Sequence, residues 1–401
     1  MNEQQTHSGG QPVQDVYTLR KIKRRRRMIR RVLLFVVLSA FILVLYANRE
    51  LWIPKLEKIG QSQQFVQQSD GALSGNRFPL SIYGGASYQT GSIDDRLLIL
   101  SDTSLYLYKT DGSLDDARQH AYGSAMLQTA GDYALVYESG SARFRLETKS
   151  KTIYEKNSSN NIVFGRVSQD GMVALVTTSD TSSCTLVVYN VDGKAVYQRN
   201  CINQLSEVTF DTENGGCYAV SIRTKNGVLQ SVVNSYDFQS EQPRWTSTPL
   251  DMLCISVYNT KDGGVFVLGD VGCAYLDVGG AVRSTYMYPD SLVCGDFSDD
   301  TAAILLRNEE KRTNTVALLK NDNAEPVMMN FDSTVKDVAV DGDTVTVQTR
   351  TAIEVCDHQG QPVATATTKN SERFDRFDHF LPMESYIFLM GYDTIDRIET
   401  P

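Results

Sequence analysis

Short apolar segments recur along most of the chain at nearly constant spacing, and polar positions with Gly or Asp separate them. Eight such segments begin at Arg96, Tyr133, Met172, Gly216, Gly264, Thr301, Thr344 and Ser385. Their starts are about 41 residues apart on average, which is the period of a four-stranded propeller blade. The pattern therefore predicts one buried β-strand in each of eight repeats.

A second series of strands follows the first and ends in tight polar turns. These turns contain Gly112, Gly193, Gly279, Asn323 and Gly360. Gly and Asn readily adopt the positive φ that tight hairpins need. A third series of Asp-rich turns (SQDG, TKDGG, SDDT and VDGD) precedes the buried strands. Each repeat is therefore predicted to run as first strand, Asp-rich turn, buried strand, third strand, Gly or Asn turn and outer strand.

The last repeat is shorter than the others. By spacing, Ile395 is equivalent to Ile353 in the third strand of the seventh repeat, and few residues follow it. The segment RFPLSIY at residues 77–83 precedes the first repeat and has no place in it. We expect this segment to pair with the strand at Ile395, because closing the ring removes an exposed sheet edge. The predicted fold class is all-β, an eight-bladed β-propeller. A seven-bladed ring is the alternative if residues 121–160 or 203–249 do not form a blade.

One long apolar run near the N-terminus has a different character. Residues 32–47 carry no charge, and apolar residues extend the run on both sides. Since a spanning helix needs about 20 mostly apolar residues, a single transmembrane α-helix is predicted at 28–53. Nine basic residues precede residue 32, where the uncharged run begins, so the positive-inside rule places the N-terminus in the cytoplasm. The flanking residues that indicate this topology are Arg24, Arg25, Arg26, Arg27, Arg30, Arg31, Tyr46 and Trp52. No A-x-A type site follows, which favours an uncleaved signal-anchor over a cleaved signal peptide.

The anchor divides the chain into four predicted segments. Residues 1–27 form a basic cytoplasmic tail, 28–53 the transmembrane helix, 54–76 a stalk or linker, and 77–401 an extracytoplasmic propeller. The formal net charge is -9 although the first 31 residues hold nine basic and two acidic residues, so the rest of the chain is strongly acidic. Affinity for phosphate rests on Lys and Arg contacts, and this charge argues against a nucleic-acid partner. The expected location is the cytoplasmic membrane, single-pass, with residues 28–53 in the lipid bilayer.

The seven cysteines include no C-x-x-C pair, so the sequence predicts no zinc site. Most lie in apolar strands, where a small buried side chain is the default interpretation. Cys184 and Cys201 are the exception, because they are equidistant from the turn at Asp192 and Gly193. In a hairpin with a two-residue turn they would face each other at a non-hydrogen-bonded position, and a disulfide becomes possible.

Polar residues in the predicted innermost strands form the remaining candidate site. Alignment of the repeats places five of them at comparable positions around the channel: Arg166, Glu207, Asp296, Asp337 and Arg376. Converging polar groups in a concavity can bind a ligand or a cation, and the alternative is that these residues are solvated in a water-filled channel. No motif for a catalytic residue, metal or cofactor is found in the sequence.

The turn sequences also support a resemblance. The FSDD, SQDG and Tyr-x-x-Asp-Gly turns resemble those of WD40-like and quinoprotein-like repeats. The layout over residues 20–401 resembles an uncharacterised domain-of-unknown-function family of membrane-anchored β-propellers from Gram-positive, clostridial-type bacteria. That resemblance implies no catalytic residues. The expected function is a binding or scaffolding module for an extracytoplasmic protein, glycan or cell-wall component. The alternative is an exported enzyme, a quinoprotein-like oxidoreductase or a hydrolase, with its site at the channel mouth.

Overall fold

The computed structural model describes residues 65–67, 78–82, 87–211, 215–320, 325–367, 371–383 and 385–400. The predicted cytoplasmic tail and transmembrane helix, with all eight flanking residues named above, lie outside these ranges. Within them, no helix has the length and apolar character needed to cross a bilayer.

The described residues form eight antiparallel sheets, numbered here as blades 1 to 8 in chain order. Blade 1 contains β3 (Gln89–Ile93), β4 (Arg96–Leu100), β5 (Ser104–Lys109) and β6 (Leu114–Gln119), and blade 2 contains β7 (Ala125–Ala130), β8 (Tyr133–Glu138), β9 (Arg143–Glu147) and β10 (Thr152–Asn157). Blade 3 contains β11 (Ile162–Val167), β12 (Val173–Thr177), β13 (Cys184–Tyr189) and β14 (Ala195–Cys201), and blade 4 contains β15 (Leu205–Asp211), β16 (Gly216–Lys225), β17 (Val228–Asp237) and β18 (Pro243–Thr246). Blade 5 contains β19 (Cys254–Asn259), β20 (Val265–Gly269), β21 (Gly272–Leu276) and β22 (Val282–Met287), and blade 6 contains β23 (Ser291–Ser298), β24 (Thr301–Asn308), β25 (Thr313–Lys320) and β26 (Val327–Phe331). Blade 7 contains β27 (Val335–Asp341), β28 (Thr344–Thr349), β29 (Ala352–Asp357) and β30 (Pro362–Thr367). Blade 8 contains β31 (Phe377–Met383), β32 (Tyr386–Gly391), β33 (Thr394–Glu399), β2 (Leu80–Ile82) and β1 (Phe65–Gln67), and a 3-10 helix (Ser371–Arg376) precedes it.

The second strand of each blade is buried on both sides, which explains its continuous apolar sequence. In β20, Val265 and Val267 pack against residues of blade 4, whereas Phe266 and Leu268 pack against residues of blade 6. Successive side chains of a strand point to opposite faces of its sheet. A strand between two neighbouring blades therefore needs apolar residues at every position, as in a fully covered sheet.

The hydrophobic core is divided among the boundaries between blades. Eight clusters of buried residues are found in the described part of the chain, one at each boundary around the ring. One of them joins blade 8 to blade 1 and contains Leu80, Phe388 and Ile395 from blade 8 with Leu97 and Ile99 from blade 1. The ring is therefore closed by packing as well as by hydrogen bonds, and the eight-bladed prediction is confirmed.

The closing strand lies where the sequence predicts it. In blade 8, Leu80 pairs with Ile395 and Ser81 with Thr394, and the Ile82 N–H donates a hydrogen bond to the Asp393 carbonyl at 2.7 Å. The outermost strand of this blade thus comes from the N-terminal side of the propeller. A further strand, β1, pairs antiparallel with β2; it lies within residues 54–76, where the sequence analysis predicts a stalk and no strand.

The turns confirm most of the expected glycine positions. Gly193 has φ 72° and ends the turn between β13 and β14. In the corresponding turn of blade 5, Gly280 and not the predicted Gly279 adopts the positive φ, at 80°. Either glycine of the pair can adopt this conformation without a steric penalty, so the sequence did not distinguish them. The predicted turn residue Asn323 lies outside the described residues.

The antiparallel order gives the propeller two distinct faces. Among the described residues, the turns after the first and third strands of the blades lie on one face, which we call the turn face. The loops between second and third strands and the connections from one blade to the next lie on the opposite face, which we call the connecting face.

Candidate functional site

The inner strands of blades 3 and 4 are joined by an ion pair between two of the predicted channel residues. Arg166 Nη2 lies 2.5 Å from Glu207 Oε2. Glu207 is buried and also accepts a hydrogen bond from the Val208 N–H at 2.8 Å. A buried carboxylate needs such partners to remain ionised. The pair therefore connects the two blades and satisfies the buried charge of Glu207.

Asp296 and Asp337 form similar links on the other side of the ring. Asp296 of blade 6 accepts a hydrogen bond from the Val340 N–H of blade 7 at 2.9 Å, and burial raises the pKa of its carboxyl group. Asp337 of blade 7 accepts hydrogen bonds from its neighbour Val338 N–H at 3.0 Å and from the Phe380 N–H of blade 8 at 3.3 Å. Both carboxylates thus accept backbone hydrogen bonds from the next blade.

The five predicted channel residues do not share one level. Counted from the pairing irregularity near the start of each inner strand, Glu207 and Asp337 come first, while Arg166 and Asp296 lie two residues further along. Arg376 is exposed and ends the 3-10 helix before β31. The structure brings Arg166 and Glu207 into contact, places Asp296 and Asp337 in adjacent blades, and leaves Arg376 outside the inner strand.

The irregularity itself is a feature that the sequence analysis missed. In blades 3 to 8, the inner strand contains one extra residue near its start, a β-bulge, whereas the inner strands of blades 1 and 2 pair regularly. The six extra residues are Val163, Ser206, Ile255, Val293, Lys336 and Asp378. Because inner strands start at the connecting face, these residues form a rim on that face around the channel. We call them the bulge rim.

The bulge rim is apolar on one side and charged on the other. Val163, Ile255 and Val293 are 41%, 47% and 39% exposed. In contrast, the Lys336 ammonium lies 3.3 Å from the Asp378 carboxylate and donates to the carbonyl oxygen of Phe377 at 3.0 Å. β-Bulges re-aim side chains and are common next to binding sites. The aliphatic side chains that these β-bulges leave exposed are therefore candidates for a surface that contacts a partner.

Other exposed apolar side chains lie on the same face. Ile202, in the connection from blade 3 to blade 4, is 90% exposed, and Tyr392 is exposed in the loop between β32 and β33. Val271 is exposed in the corresponding loop of blade 5. Scattered exposed apolar residues need no explanation, but a contiguous group of them marks an interaction site.

The turn face has a polar cleft between blades 5 and 6. Its volume is about 530 Å³, and its lining includes Lys261, Asp262, Asp277, Arg283 and Asp300. Arg283 and Asp277 form an ion pair at 3.0 Å, and backbone N–H groups, first that of Ala281, hold the pKa of the Asp277 carboxyl below its usual range. Both acidic and basic groups thus line this cleft.

Cys184 and Cys201 are direct partners in the pairing of β13 with β14. Both side chains are buried and both are free thiols in the structure. The hairpin does not have the two-residue turn assumed in the sequence analysis: the Asn190 N–H donates to the Lys194 carbonyl at 2.9 Å, which leaves three residues in the turn. A bulge at Val196 then restores the predicted register.

Across the described ranges, no three side chains of His, Cys, Asp or Glu are arranged to hold a metal ion. The contact of His379 Nδ1 with Asp337 Oδ2 at 3.4 Å raises the pKa of His379.

The closed ring of eight antiparallel sheets defines the protein as an eight-bladed β-propeller. It belongs to DUF5711, a family of unknown function, whose sequence profile matches residues 81–398. This confirms the resemblance to a domain-of-unknown-function family with a propeller fold; membrane anchoring and bacterial origin stay predictions.

Solved structures with a similar fold include BamB from Moraxella catarrhalis, with 12% identity and a TM-score of 0.53 over 84% of this chain and 100% of that chain. Sqt1 from Chaetomium thermophilum is similar as well, with 11% identity and a TM-score of 0.56 over 79% of this chain and 96% of that chain. At these identities the similarity concerns the fold. No curated protein sequence matches the chain.

Proposed function

We propose that the protein is a membrane-anchored binding or scaffolding module whose propeller lies outside the cytoplasmic membrane and binds a protein through the connecting face. Residues 28–53 would hold it in the lipid bilayer, with the basic N-terminus inside. The single observation that carries the binding proposal is the bulge rim, because it presents aliphatic side chains at equivalent positions of separate blades.

The rim has the composition expected of a protein-binding patch. The centre of a protein interface is depleted in charge, and polar groups surround it. Val163, Ile255 and Val293 would supply the apolar part, and Lys336 and Asp378 the charged border. A glycan or cell-wall partner is the alternative occupant of the same face.

The inner-strand carboxylates support binding more than catalysis. Asp296 and Asp337, the residues that an exported enzyme would use, accept backbone hydrogen bonds across blade boundaries. A general acid or base must reach its substrate within hydrogen-bond distance, and these oxygen atoms already hold adjacent blades together. This engagement favours a structural role for both groups.

An introduced cysteine can test the location and the binding surface in one experiment. All seven native cysteines are buried or half-buried, so Ile255→Cys would provide the accessible thiol. In intact cells, we expect a membrane-impermeant maleimide to label Ile255→Cys. An impermeant crosslinker with a maleimide at one end and a photoreactive group at the other should give one discrete adduct. Val278→Cys, at an exposed valine of the turn face, is the matched control and should be labelled without giving that adduct.

The outcomes separate the parts of the proposal. Absence of labelling until the cells are lysed would contradict the extracytoplasmic location. Labelling at residue 255 without an adduct, or the same adduct from residue 278, would contradict binding at the rim. An adduct that is shortened by wall-degrading enzymes would identify a glycan partner. When Val293→Asp is combined with Ile255→Cys, the adduct should disappear, and the thermal unfolding midpoint should equal that of Ile255→Cys alone.

A further inference from the structure

We propose that Cys184 and Cys201 form an intramolecular disulfide that fastens the outer hairpin of blade 3. The two residues are direct register partners at the end of the hairpin away from its turn. The Cys184 thiol now lies 3.7 Å from the Asn203 carbonyl oxygen, and the Cys201 thiol lies 3.7 Å from that of Arg199. Neither residue lies in the bulge rim, so the inference is independent of the proposed function.

The register places the two Cα atoms at a distance that suits a disulfide. The Asn190–Lys194 hydrogen bond makes Tyr189 and Ala195 a non-hydrogen-bonded pair. Hydrogen-bonded and non-hydrogen-bonded pairs alternate along an antiparallel ladder. Beyond the bulge at Val196, Val188–Tyr197 is therefore a hydrogen-bonded pair, and so is Cys184–Cys201, four residues further along each strand. This differs from the position predicted from the sequence. Cα atoms of such a pair are about 5.5 Å apart, which lies at the commonest separation in disulfides, about 5.5–6 Å.

Hydrogen bonds also join the two strands at the end of the hairpin beside the cysteines. The Ser183 N–H donates a hydrogen bond to the Cys201 carbonyl at 3.0 Å, and Ser183 Oγ donates to the Ile202 carbonyl at 2.5 Å. The two strands are therefore held together up to the position of the thiols.

The other described cysteines lack an equivalent partner. Cys217 faces Tyr236, Cys254 faces Gly269, Cys273 faces Tyr286, Cys294 faces Leu305 and Cys356 faces Val345. Burial raises the pKa of each of these thiols, for example to about 12 for Cys217, and the Asp337 carboxylate adds to the effect at Cys294. Burial of this kind makes a cysteine unreactive.

Cys184 and Cys201 are themselves buried in the folded chain, so disulfide exchange at this pair takes place during folding, when the hairpin has formed and blade 3 has not yet packed. The contact with the Cys201 thiol lowers the pKa of Cys184, and the same contact raises the pKa of Cys201. The attacking species in exchange is a thiolate. The Cys184 thiolate would attack a small-molecule or oxidoreductase disulfide and release one thiol. Cys201 would then lose its proton, attack the sulfur of Cys184 and release the second thiol. Two thiols of the chain are thereby oxidised, and one external disulfide is reduced to two thiols.

The bond would restrain the connection that carries Ile202. This residue follows Cys201 directly and is 90% exposed on the connecting face. Since residues 202–204 join blade 3 to blade 4, a crosslink at Cys201 fixes the start of this loop.

The test uses the full chain, purified in detergent, refolded in a buffer of oxidised and reduced glutathione, and then alkylated in denaturant. We expect five of the seven thiols to be alkylated and a non-reduced digest to contain the peptide of Cys184 linked to that of Cys201. Seven alkylated thiols, or a linkage between other cysteines, would overturn the proposal. Cys273→Ser should keep the linkage and show four alkylated thiols, whereas Cys184→Ala should lose the linkage and show six. The mapping of the wild-type chain decides the matter even where a variant fails to fold.

Discussion

Shortening the Leu80 side chain in the closing strand β2 tests whether packing of this strand stabilises the ring. Leu80 is 3% exposed and packs in the cluster that joins blade 8 to blade 1. Leu80→Ala removes three carbon atoms, worth about 2.4 kcal/mol at about 0.8 kcal/mol each. The cavity that remains brings the expected loss to about 3–4 kcal/mol, within the range measured for buried leucines.

The assay is thermal unfolding of the purified chain, followed by circular dichroism. With an unfolding entropy of about 2.1 cal/mol/K per residue, 1 kcal/mol corresponds to about 1.5 °C for a propeller of this size, so we expect the midpoint to fall by about 5 °C. Leu114→Ala is the matched control, because Leu114 is 42% exposed at the start of β6, and it should change the midpoint by less than about 1 °C. Equal shifts for the two variants would refute the idea that β2 closes the ring through packing.

Two further predictions concern buried polar contacts. Arg166→Met should destabilise the propeller by up to about 3 kcal/mol, because it leaves the buried Glu207 carboxylate without its counter-ion. The control Arg283→Met removes an exposed ion pair with Asp277 and should cost less than about 1 kcal/mol. Urea unfolding measures both losses of stability, and equal losses would contradict the role assigned to the Arg166 pair. Burial lowers the pKa of His120, whose ring accepts a hydrogen bond from the Tyr122 N–H at 3.3 Å. Because the unfolded chain then binds the proton more tightly, this contribution to stability is complete above about pH 6.5 and is lost as the pH falls towards the lowered value. His120→Gln should flatten the stability profile between pH 7 and pH 5, and an unchanged profile would show that His120 is not its source.

The hydrophobic pattern predicted the architecture because blades are packed on both sides. A strand between two neighbours, such as β12 with its sequence VALVT, must be apolar at every position. This requirement recurs once per blade and produces a period that can be read from the sequence. The missing outer strand of the last repeat follows from the same count, and the pairing of Leu80 with Ile395 confirms it.

The positions of the polar inner-strand residues could be predicted only in part. The repeats identified Arg166 and Glu207 as inner-strand residues, but an alignment by spacing cannot detect one extra residue in a strand. A β-bulge depends on how the strand pairs with its neighbour and has no required residue type here, since Val293, Lys336 and Asp378 all occupy it. For that reason the sequence could not predict the bulge rim or the two levels of charged residues, and only the structure shows them.

The sequence by itself therefore determined the number of blades, their order and the strand that closes the ring, because these depend on local apolar periodicity. Only the tertiary structure decided which polar groups meet, which glycine of a pair turns the chain, and which aliphatic side chains remain exposed on the connecting face. These features depend on contacts between residues about 40 positions apart, such as Arg166 with Glu207. Such contacts form when neighbouring blades pack, and the composition of either blade alone does not specify them.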